Sequence, residues 1–271
     1  MNLLQKEVIG DWEISTVKDR ISNSNERDTD EAALNIPLPE MYFGFNKLRV
    51  EHITGWALEF MAMDALDMVD KDTPTVKVGW ADHWHRNRGH SEHIKEVVKP
   101  FDWTYSTAYT GSLRSVDGDQ TINLPTISAA LQGEAIDYEL LKPHREPILF
   151  YGEVILFEDE LADNGESTVS VKFRCMPSGF FILLRQFIRV DDVLIRIRDT
   201  RIHHIFETQH MIRETVTKEG VYNKVIPSIS MSQDKTNTNI LRDPPALDAA
   251  LTLMSSNVDI ISWENKSDAI L

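Results

Sequence analysis

The chain has 271 residues, with 28 lysines and arginines against 43 aspartates and glutamates, which gives a formal net charge of −15 at pH 7. This balance argues against a broad nucleic-acid or anionic-lipid surface, because phosphate binding needs clustered basic residues in excess. Hydrophobic residues make up 42% of the chain and charged residues 26%, which is ordinary for a globular domain. Cys175 is the only cysteine, which excludes a disulfide framework and a thiolate metal cage.

The N-terminal sequence MNLLQKEVIGDWE has no basic region and no small-residue cleavage site, so it does not match a secretory signal. The most apolar stretch, Gly179–Leu184, is far shorter than the roughly 20 residues of a membrane span. We therefore expect a cytoplasmic protein that binds neither membrane nor nucleic acid and carries no cofactor.

Alternating apolar residues run along much of the chain, beginning with Trp12, Ile14 and Thr16 in the segment Asp11–Lys18. The same period of two recurs in Lys47–Ile53, in Trp56–Phe60 and in Phe101–Tyr109. Such alternation predicts half-buried strands of antiparallel sheets. Short helices are predicted at Asp28–Asn35, Asp64–Val69, Ala81–Lys99, Asp137–Lys142 and Pro245–Met254.

The composition shows no linker-like change until about residue 226, where a polar, Ser- and Asn-rich stretch leads to Asp243-Pro244-Pro245. We therefore expect one α+β domain over residues 1–225. It would consist of two packed antiparallel β-sheets that form a sandwich-like core, with short flanking helices. A variable, loosely packed segment would follow at residues 226–271.

Two successive hairpins are the strongest local prediction. The strands Tyr151–Leu161 and Ser167–Met176 flank Asn164-Gly165, a dipeptide suited to a type I′ turn because both residues tolerate positive φ. The strands Gly179–Val190 and Val193–Ile202 flank Asp191-Asp192, a weaker signal of the same kind. If that turn has two residues, Val190 pairs with Val193 and Leu184 pairs with Asp199.

In that register the second hairpin has one apolar face that ends at Asp199 and Arg201. Its other face carries four arginines around Phe187, namely Arg185, Arg189, Arg196 and Arg198. Like charges opposite each other are destabilising unless acids pair with them, and the stretch Glu158–Glu160 could supply such acids. Arginine and aromatic residues are also enriched at binding hot spots, so a partner surface is the second interpretation. Asp199 and Arg201 would suit either the rim of a groove or an internal ion pair.

A cluster of histidines, His83, His85, His90 and His93, lies in the sequence ADHWHRNRGHSEH. The pair His83-x-His85 resembles the strand-borne metal ligands of cupins, which predicts a metal-dependent enzyme that uses His83, His85 and His93. Against it, Glu92 comes too late after the pair, and Asp82, Arg86 and Arg88 are typical of a solvated segment. The competing interpretation is a polar surface segment without metal.

Other catalytic patterns are absent from the sequence. It has no nucleophile elbow, no phosphate-binding glycine loop and no H-E-x-x-H motif, which are the local signatures of the large hydrolase and nucleotide-binding classes. The Asp-rich metal motifs of serine/threonine phosphatases are missing as well. We therefore expect that this chain is not itself such a phosphatase.

Four long blocks carry a resemblance to a known family: Lys99–Leu113 (KPFDWTYSTAYTGSL), Leu156–Gly165, Val171–Val190 and Val193–His204 (VLIRIRDTRIHH). They resemble the TOR signalling pathway regulator-like (TIPRL) family, and Leu38–His52 and Leu58–Leu66 resemble its N-terminal blocks. The blocks follow in the family's order from about Trp12 to Arg213.

The resemblance implies a non-catalytic protein that binds the catalytic subunit of type 2A and related serine/threonine phosphatases and inhibits it or holds it inactive. It also implies a role in TOR signalling and a relation to the Tap/alpha-four phosphatase chaperone. We expect a monomer, which is the default for a protein that binds its partner one to one. Carried over by motif, the partner-binding residues are Asp64, Ile136, Ile197 and Asp199, and we add Arg201 of the same block.

Overall fold

The structure is a computed structural model that describes residues 3–71, 103–118, 122–142, 145–232 and 243–264. Thirteen strands form in these ranges, and their bounds in chain order are β1 Leu3–Ile9, β2 Trp12–Lys18, β3 Met41–Tyr42, β4 Lys47–His52, β5 Trp56–Met61, β6 Ser112–Ser115, β7 Thr126–Ala129, β8 Phe150–Asp159, β9 Gly165–Met176, β10 Gly179–Val190, β11 Leu194–Ile205, β12 His210–Val221 and β13 Thr252–Ser262.

The strands make two antiparallel sheets. The smaller has five strands in the order β1-β2-β4-β5-β6, and the larger has eight in the order β3-β8-β9-β10-β11-β12-β13-β7. The sheets pack face to face, since buried Trp12 of β2 contacts Phe180 of β10 with ring centroids 5.1 Å apart. One hydrophobic core includes residues from both sheets. The expected α+β sandwich in a single domain is therefore confirmed.

The alternation of the sequence explains why one face of each central strand is buried. In β2, Trp12, Ile14 and Thr16 point into the core, as the period of two predicts. In β10 the buried alternation continues through Ile182 and Leu184. Opposite faces of the larger sheet therefore differ, with one against the smaller sheet and one turned away from it.

Within the described ranges, four short α-helices flank the sheets: α1 Ser24–Leu34, α2 Ala62–Asp67, α3 Tyr222–Ser232 and α4 Pro244–Asp248. Helix α1 begins earlier than predicted because Asn23 and Glu26 form a reciprocal capping box. The helix predicted at Asp137–Lys142 is wrong, since this segment forms turns. The one predicted at Ala81–Lys99 lies outside the described residues.

The turn of the second hairpin differs from the prediction. Asp192 adopts a left-handed conformation (φ 62°), and Val190 pairs with Leu194, so the loop has three residues instead of two. Asp199 consequently pairs with Arg185, not with Leu184. Because side chains alternate between faces, this shift by one residue moves Ile195, Ile197, Asp199 and Arg201 to the face opposite Ile182 and Leu184.

The first hairpin also turns differently. The chain leaves β8 through Leu161, Ala162 and Asp163, which all have positive φ, and Gly165 is already the first residue of β9. The predicted type I′ turn at Asn164-Gly165 is therefore wrong. Leu161 is fully buried in the core, and its packing offsets the steric cost of about 1–2 kcal/mol that a left-handed residue carries.

The C-terminal segment is packed more firmly than expected over residues 252–263. Strand β13 pairs with β12 over most of its length and with β7 on its other side. Ile261 and the following Trp263 belong to the main hydrophobic core. Residues 252–257 are exposed, so the firm packing belongs to the end of the strand, where Ile261 and Trp263 enter the core. The expected domain boundary at residue 225 stays a prediction.

Cys175 is buried in β9, where its thiol contacts the carbonyl oxygens of Met176 and Gly179 at 3.6 Å. Burial raises the pKa of this thiol to about 11, so it is a structural residue and not a reactive one. None of the helices in the described ranges is long and apolar enough to cross a bilayer.

Candidate functional site

The face of the larger sheet that is turned away from the smaller sheet is called the outer face here. It carries every second side chain of the central strands, including Arg185 and Phe187 of β10 and Ile197, Asp199 and Arg201 of β11. Alternate residues of β9 and β12 extend it on both sides, because β9 pairs with β10 over its whole length and β12 pairs with β11 from Met211 to Val221.

A buried carboxylate lies at the centre of the outer face. Asp199 is 2% exposed, and Arg185 binds it with two hydrogen bonds, from Nε to Oδ1 and from Nη2 to Oδ2, both 2.7 Å long. Arg201 donates a third hydrogen bond from Nη2 to Oδ2 at 3.0 Å. Of the two arrangements that the sequence left open for Asp199 and Arg201, the structure shows the internal ion pair.

Arg201 links this carboxylate to the side chains of Tyr138 and Glu214. Its guanidinium lies over the ring of Tyr138, 5.7 Å from the centroid, and 3.6 Å from the carboxylate of Glu214 on β12. The hydroxyl of Tyr138 donates to Glu214 and accepts a hydrogen bond from Arg201. Burial and the bond to Glu214 raise the pKa of Tyr138 to about 12. The phenol therefore stays protonated at neutral pH and can act as a donor.

Two apolar clusters border this charged centre. On one side Ile197 and Phe187 pack with Val225 of α3 and Leu247 of α4. On the other side Ile136, from the irregular segment before β8, packs with Leu141 and Met176. Both Ile136 and Ile197 are buried, so they shape the face more than they present surface of their own.

An open cleft of about 350 Å³ lies beside the charged centre. Its floor includes Leu183, Arg185 and Phe187 of β10, and Pro244 at the start of α4 lies on one wall. Lys172 of β9 adds a further cation, and Glu153, Glu158 and Glu166 add three carboxylates to the lining. The combination of an apolar floor with charged groups of both signs is suited to recognition of another molecule, because such sites fix orientation through a few charged groups.

The four arginines of the hairpin do not share one face as predicted. Arg185 and Arg189 lie on the outer face, whereas the three-residue turn places Arg196 and Arg198 on the inner face. Arg185 pairs with Asp199, Arg189 with Glu166 and Asp191, and Arg196 with Glu219. Arg198 has none of these partners, and its Nε is buried without a hydrogen bond among the described residues. The stretch Glu158–Glu160 does not supply these partners among the ion pairs of the described residues.

Asp64 lies apart from the other four predicted residues. It belongs to α2, next to the smaller sheet, and accepts hydrogen bonds from Ser112 at 2.5 Å and from Arg114 at 2.7 Å. The structure thus brings Ile136, Ile197, Asp199 and Arg201 to one face and leaves Asp64 in the other layer.

The predicted histidine cluster, His83, His85, His90 and His93, lies outside the described residues. Within the ranges that the structure describes, no group of three or more His, Cys, Asp or Glu side chains could hold a metal ion.

Sequence reasoning missed two members of the site, Tyr138 and Glu214, and did not foresee that Arg185 pairs with Asp199. These contacts join distant segments, so they depend on the register of β10 against β11 and on the path of the segment around Ile136. The one signal available in the sequence was the arginine-rich hairpin itself.

Comparisons with known proteins give a consistent result. The sequence model of the TIP41-like family matches residues 41–226. A TIP41-like protein of Homo sapiens is 44% identical over 212 residues, which cover 78% of this chain and 75% of that protein. The type 2A phosphatase activator TIP41 of Saccharomyces cerevisiae is 35% identical over 258 residues, 87% of this chain and 68% of the relative. The type 2A phosphatase activator tip41 of Schizosaccharomyces pombe is 32% identical over 230 residues, 83% of this chain and 85% of the relative.

Proposed function

This chain belongs to the TIP41-like family, and on that premise we propose that it is a non-catalytic regulator that binds the catalytic subunit of type 2A and related serine/threonine phosphatases. Two yeast relatives are named for a link to type 2A phosphatases. The observation that carries the proposal is the outer face of the larger sheet, on which Ile136, Ile197, Asp199 and Arg201 lie. Three of these residues are expected from the resemblance, and Arg201 was added to them.

The outer face has the chemistry that a protein partner needs. Arg185 and Arg201 are held in place by Asp199, so their side chains lose little freedom when a partner binds. The cleft beside them combines the apolar floor of Leu183 and Phe187 with charged walls. Arginine-centred, partly buried patches of this kind are typical of binding hot spots.

The effect on the partner is a further part of the proposal. The family resemblance implies that the bound catalytic subunit is inhibited or held inactive, whereas the two yeast relatives carry the word activator in their names. We therefore separate binding from its effect, and we expect reduced phosphatase activity in the purified complex. We further propose that the protein is a cytoplasmic monomer and that it acts in TOR signalling together with the Tap/alpha-four chaperone.

Arg201 is the residue of choice for the test, because Asp199 is buried between two arginines and its loss would disturb the fold. We expect Arg201→Gln to weaken binding of a purified type 2A catalytic subunit at least about tenfold in isothermal titration, which is about 1.4 kcal/mol. In this variant Asp199 would still be paired with Arg185, so the sheet should stay folded.

Arg49 offers a matched control on the smaller sheet. Its side chain is 22% exposed, as is that of Arg201, and it also pairs with two carboxylates, those of Glu51 and Glu59. Arg49→Gln should leave the affinity unchanged. Equal affinities of the two variants would contradict the assignment of the outer face, and absence of saturable binding by the unsubstituted protein would contradict the proposed function.

A further inference from the structure

Among the arginines that the central strands place on the outer face, Arg174 of β9 alone has no acidic partner in the described ranges. The other three, Arg185, Arg189 and Arg201, each form at least one ion pair. Arg174 donates a hydrogen bond from Nη2 to the carbonyl oxygen of Leu141 at 2.7 Å, and its Nε is buried without a hydrogen bond. Arginine keeps its proton in proteins, so a positive charge without a counter-charge lies on this face.

The guanidinium of Arg174 is held over an aromatic ring. Its Cζ lies 5.3 Å from the centroid of Phe181 on β10, and the side chain is partly buried. Burial lowers the pKa of Arg174, and no carboxylate of the described residues opposes this shift. A charge in such surroundings gains more from an added carboxylate than a fully solvated charge does, because the local dielectric constant is lower.

Exposed apolar side chains surround this guanidinium. Leu140 and Ile148 line the same shallow depression as Arg174, and Tyr151 of β8 pairs with Arg174 across the two strands. Leu140, Ile148 and Tyr151 are 47%, 52% and 50% exposed. Single exposed apolar residues are normal on a protein surface, whereas a group of them is typical of an interaction site. These four residues are called the Arg174 patch here.

The charged groups beside the Arg174 patch are bound to other partners. Glu146 lines the same depression, but its carboxylate accepts hydrogen bonds from the backbone N–H and the hydroxyl of Ser178 at 3.1 and 2.8 Å. Lys142, also in the lining, pairs with Glu139 at 2.6 Å. A carboxylate that neutralises Arg174 would therefore have to come from another molecule.

The Arg174 patch continues the surface that we assign to the phosphatase. Leu141, whose carbonyl oxygen binds Arg174, packs with Ile136 and Met176 in one apolar cluster. Ile136 is one of the residues expected to contact the partner. One partner surface can therefore extend from Ile136 over the Arg174 patch.

We propose that the Arg174 patch is a second contact point for the phosphatase catalytic subunit, at which an aspartate or glutamate side chain of the partner pairs with Arg174. Apolar side chains of the partner cover Leu140, Ile148 and Tyr151 and exclude water from the pair, which strengthens its charge-assisted hydrogen bonds. A basic partner segment would be repelled, and a purely apolar one would bury the guanidinium without a counter-charge, which is costly. This inference rests on the proposed function.

Tyr151→Ala tests the apolar part of the contact in the full chain, by isothermal titration against a purified type 2A catalytic subunit. We expect the affinity to fall at least about fivefold, because an aromatic anchor is lost from the interface. Phe45→Ala is the matched control, since Phe45 is also 50% exposed but lies between β3 and β4. It should leave the affinity unchanged.

Arg174→Gln and Arg174→Lys test the charged part. Both variants lose the guanidinium above Phe181, so a purely structural role of Arg174 predicts similar losses of affinity. We expect Arg174→Gln to weaken binding about tenfold and to make it less dependent on salt, whereas Arg174→Lys keeps the charge and should stay within about threefold. Melting temperatures of both variants show whether the fold is intact.

The outcomes separate this inference from the proposed function. Equal affinities of Tyr151→Ala and Phe45→Ala, or equal losses in the two Arg174 variants, would overturn the Arg174 patch as a contact. The proposed function would still stand if Arg201→Gln weakened binding in the same series. Absence of saturable binding by the unsubstituted chain would overturn both.

Discussion

At the scale of single residues, the charged centre of the outer face is a preorganised unit. Asp199 has almost no exposed surface, and its oxygens are occupied by Arg185 and Arg201. In the proposed complex a partner would meet the guanidinium groups, and Asp199 would act by holding them in position. Removing one member of a buried pair typically costs about 3–5 kcal/mol, so a substitution at Asp199 changes stability and affinity together.

His204 makes the stability of the fold depend on pH. Its side chain is 1% exposed, and burial lowers its pKa from 6.5 to about 4. As the pH falls below 6.5, His204 becomes protonated in the unfolded chain but stays neutral in the folded chain. We expect the free energy of unfolding to fall between pH 6.5 and pH 4, with a contribution from His204 of about 3 kcal/mol in total.

Urea unfolding at several pH values measures this dependence. His204→Asn keeps a donor near the carbonyl oxygen of His210 but cannot titrate, so its stability should fall less steeply with decreasing pH than that of the unsubstituted protein. His210→Asn, at a less buried position of the next strand, serves as the control. An unchanged slope in His204→Asn would refute this explanation.

At the scale of secondary structure elements, the sequence predicted most strands well and their register poorly. The strand predicted at Phe101–Tyr109 is wrong, since its described residues 103–109 form a turn and one isolated bridge at Thr107. The alternation of Trp12, Ile14 and Thr16 is sufficient to predict β2, because one face of a strand in a sandwich is buried. The register of β10 against β11 depends on the conformation of Asp192, whose positive φ adds one residue to the turn. Aspartate adopts this conformation only in some contexts, so the sequence could not indicate which face Asp199 occupies.

Gly165 at the start of β9 should tolerate no side chain. A Cβ atom there would lie 1.9 Å from the carbonyl oxygen of Arg189, and the φ of +157° belongs to a region that is nearly exclusive to glycine. We expect Gly165→Ala to lower the free energy of unfolding by roughly 3 kcal/mol. Circular dichroism during urea denaturation measures the change.

Gly118 is the matched control, because its φ is +70° and a Cβ atom would meet nothing within 4 Å. Gly118→Ala should cost only about 1 kcal/mol, the strain of a left-handed residue. Similar losses in the two variants would show that the close approach of Arg189 does not determine the effect.

At the scale of the whole molecule, one core joins segments that are far apart in the sequence. Trp12, Phe180, Ile261 and Trp263 belong to the same hydrophobic cluster, although polar sequence around residues 226–243 suggested that the domain ends there. Composition indicates where a chain is polar, but not whether a later segment returns to the sheet. The resemblance likewise named Asp64 and Asp199 together, because a motif gives positions along the chain and not in space. The structure places the two residues in different layers.

Two substitutions in β13 test whether this strand belongs to one cooperative unit. Ile261 is 0% exposed, so Ile261→Ala should lower the free energy of unfolding by about 2–5 kcal/mol. Leu253 in the same strand is 56% exposed, and Leu253→Ala should change it by less than about 0.5 kcal/mol. Far-UV circular dichroism and tryptophan fluorescence should report one coincident transition. A separate early transition for Ile261→Ala would indicate that β13 unfolds on its own.

The order of strands in the larger sheet has a consequence for synthesis on the ribosome. Strands β8 to β12 follow one another along the chain and pair as neighbours, so they can assemble as they emerge. Strand β7, at residues 126–129, pairs only with β13 among the described residues, and β13 is translated after all the other described strands of this sheet. The edge of the sheet is therefore completed only after β13 has left the ribosome, and until then the nascent protein exposes an apolar interior that chaperones can recognise.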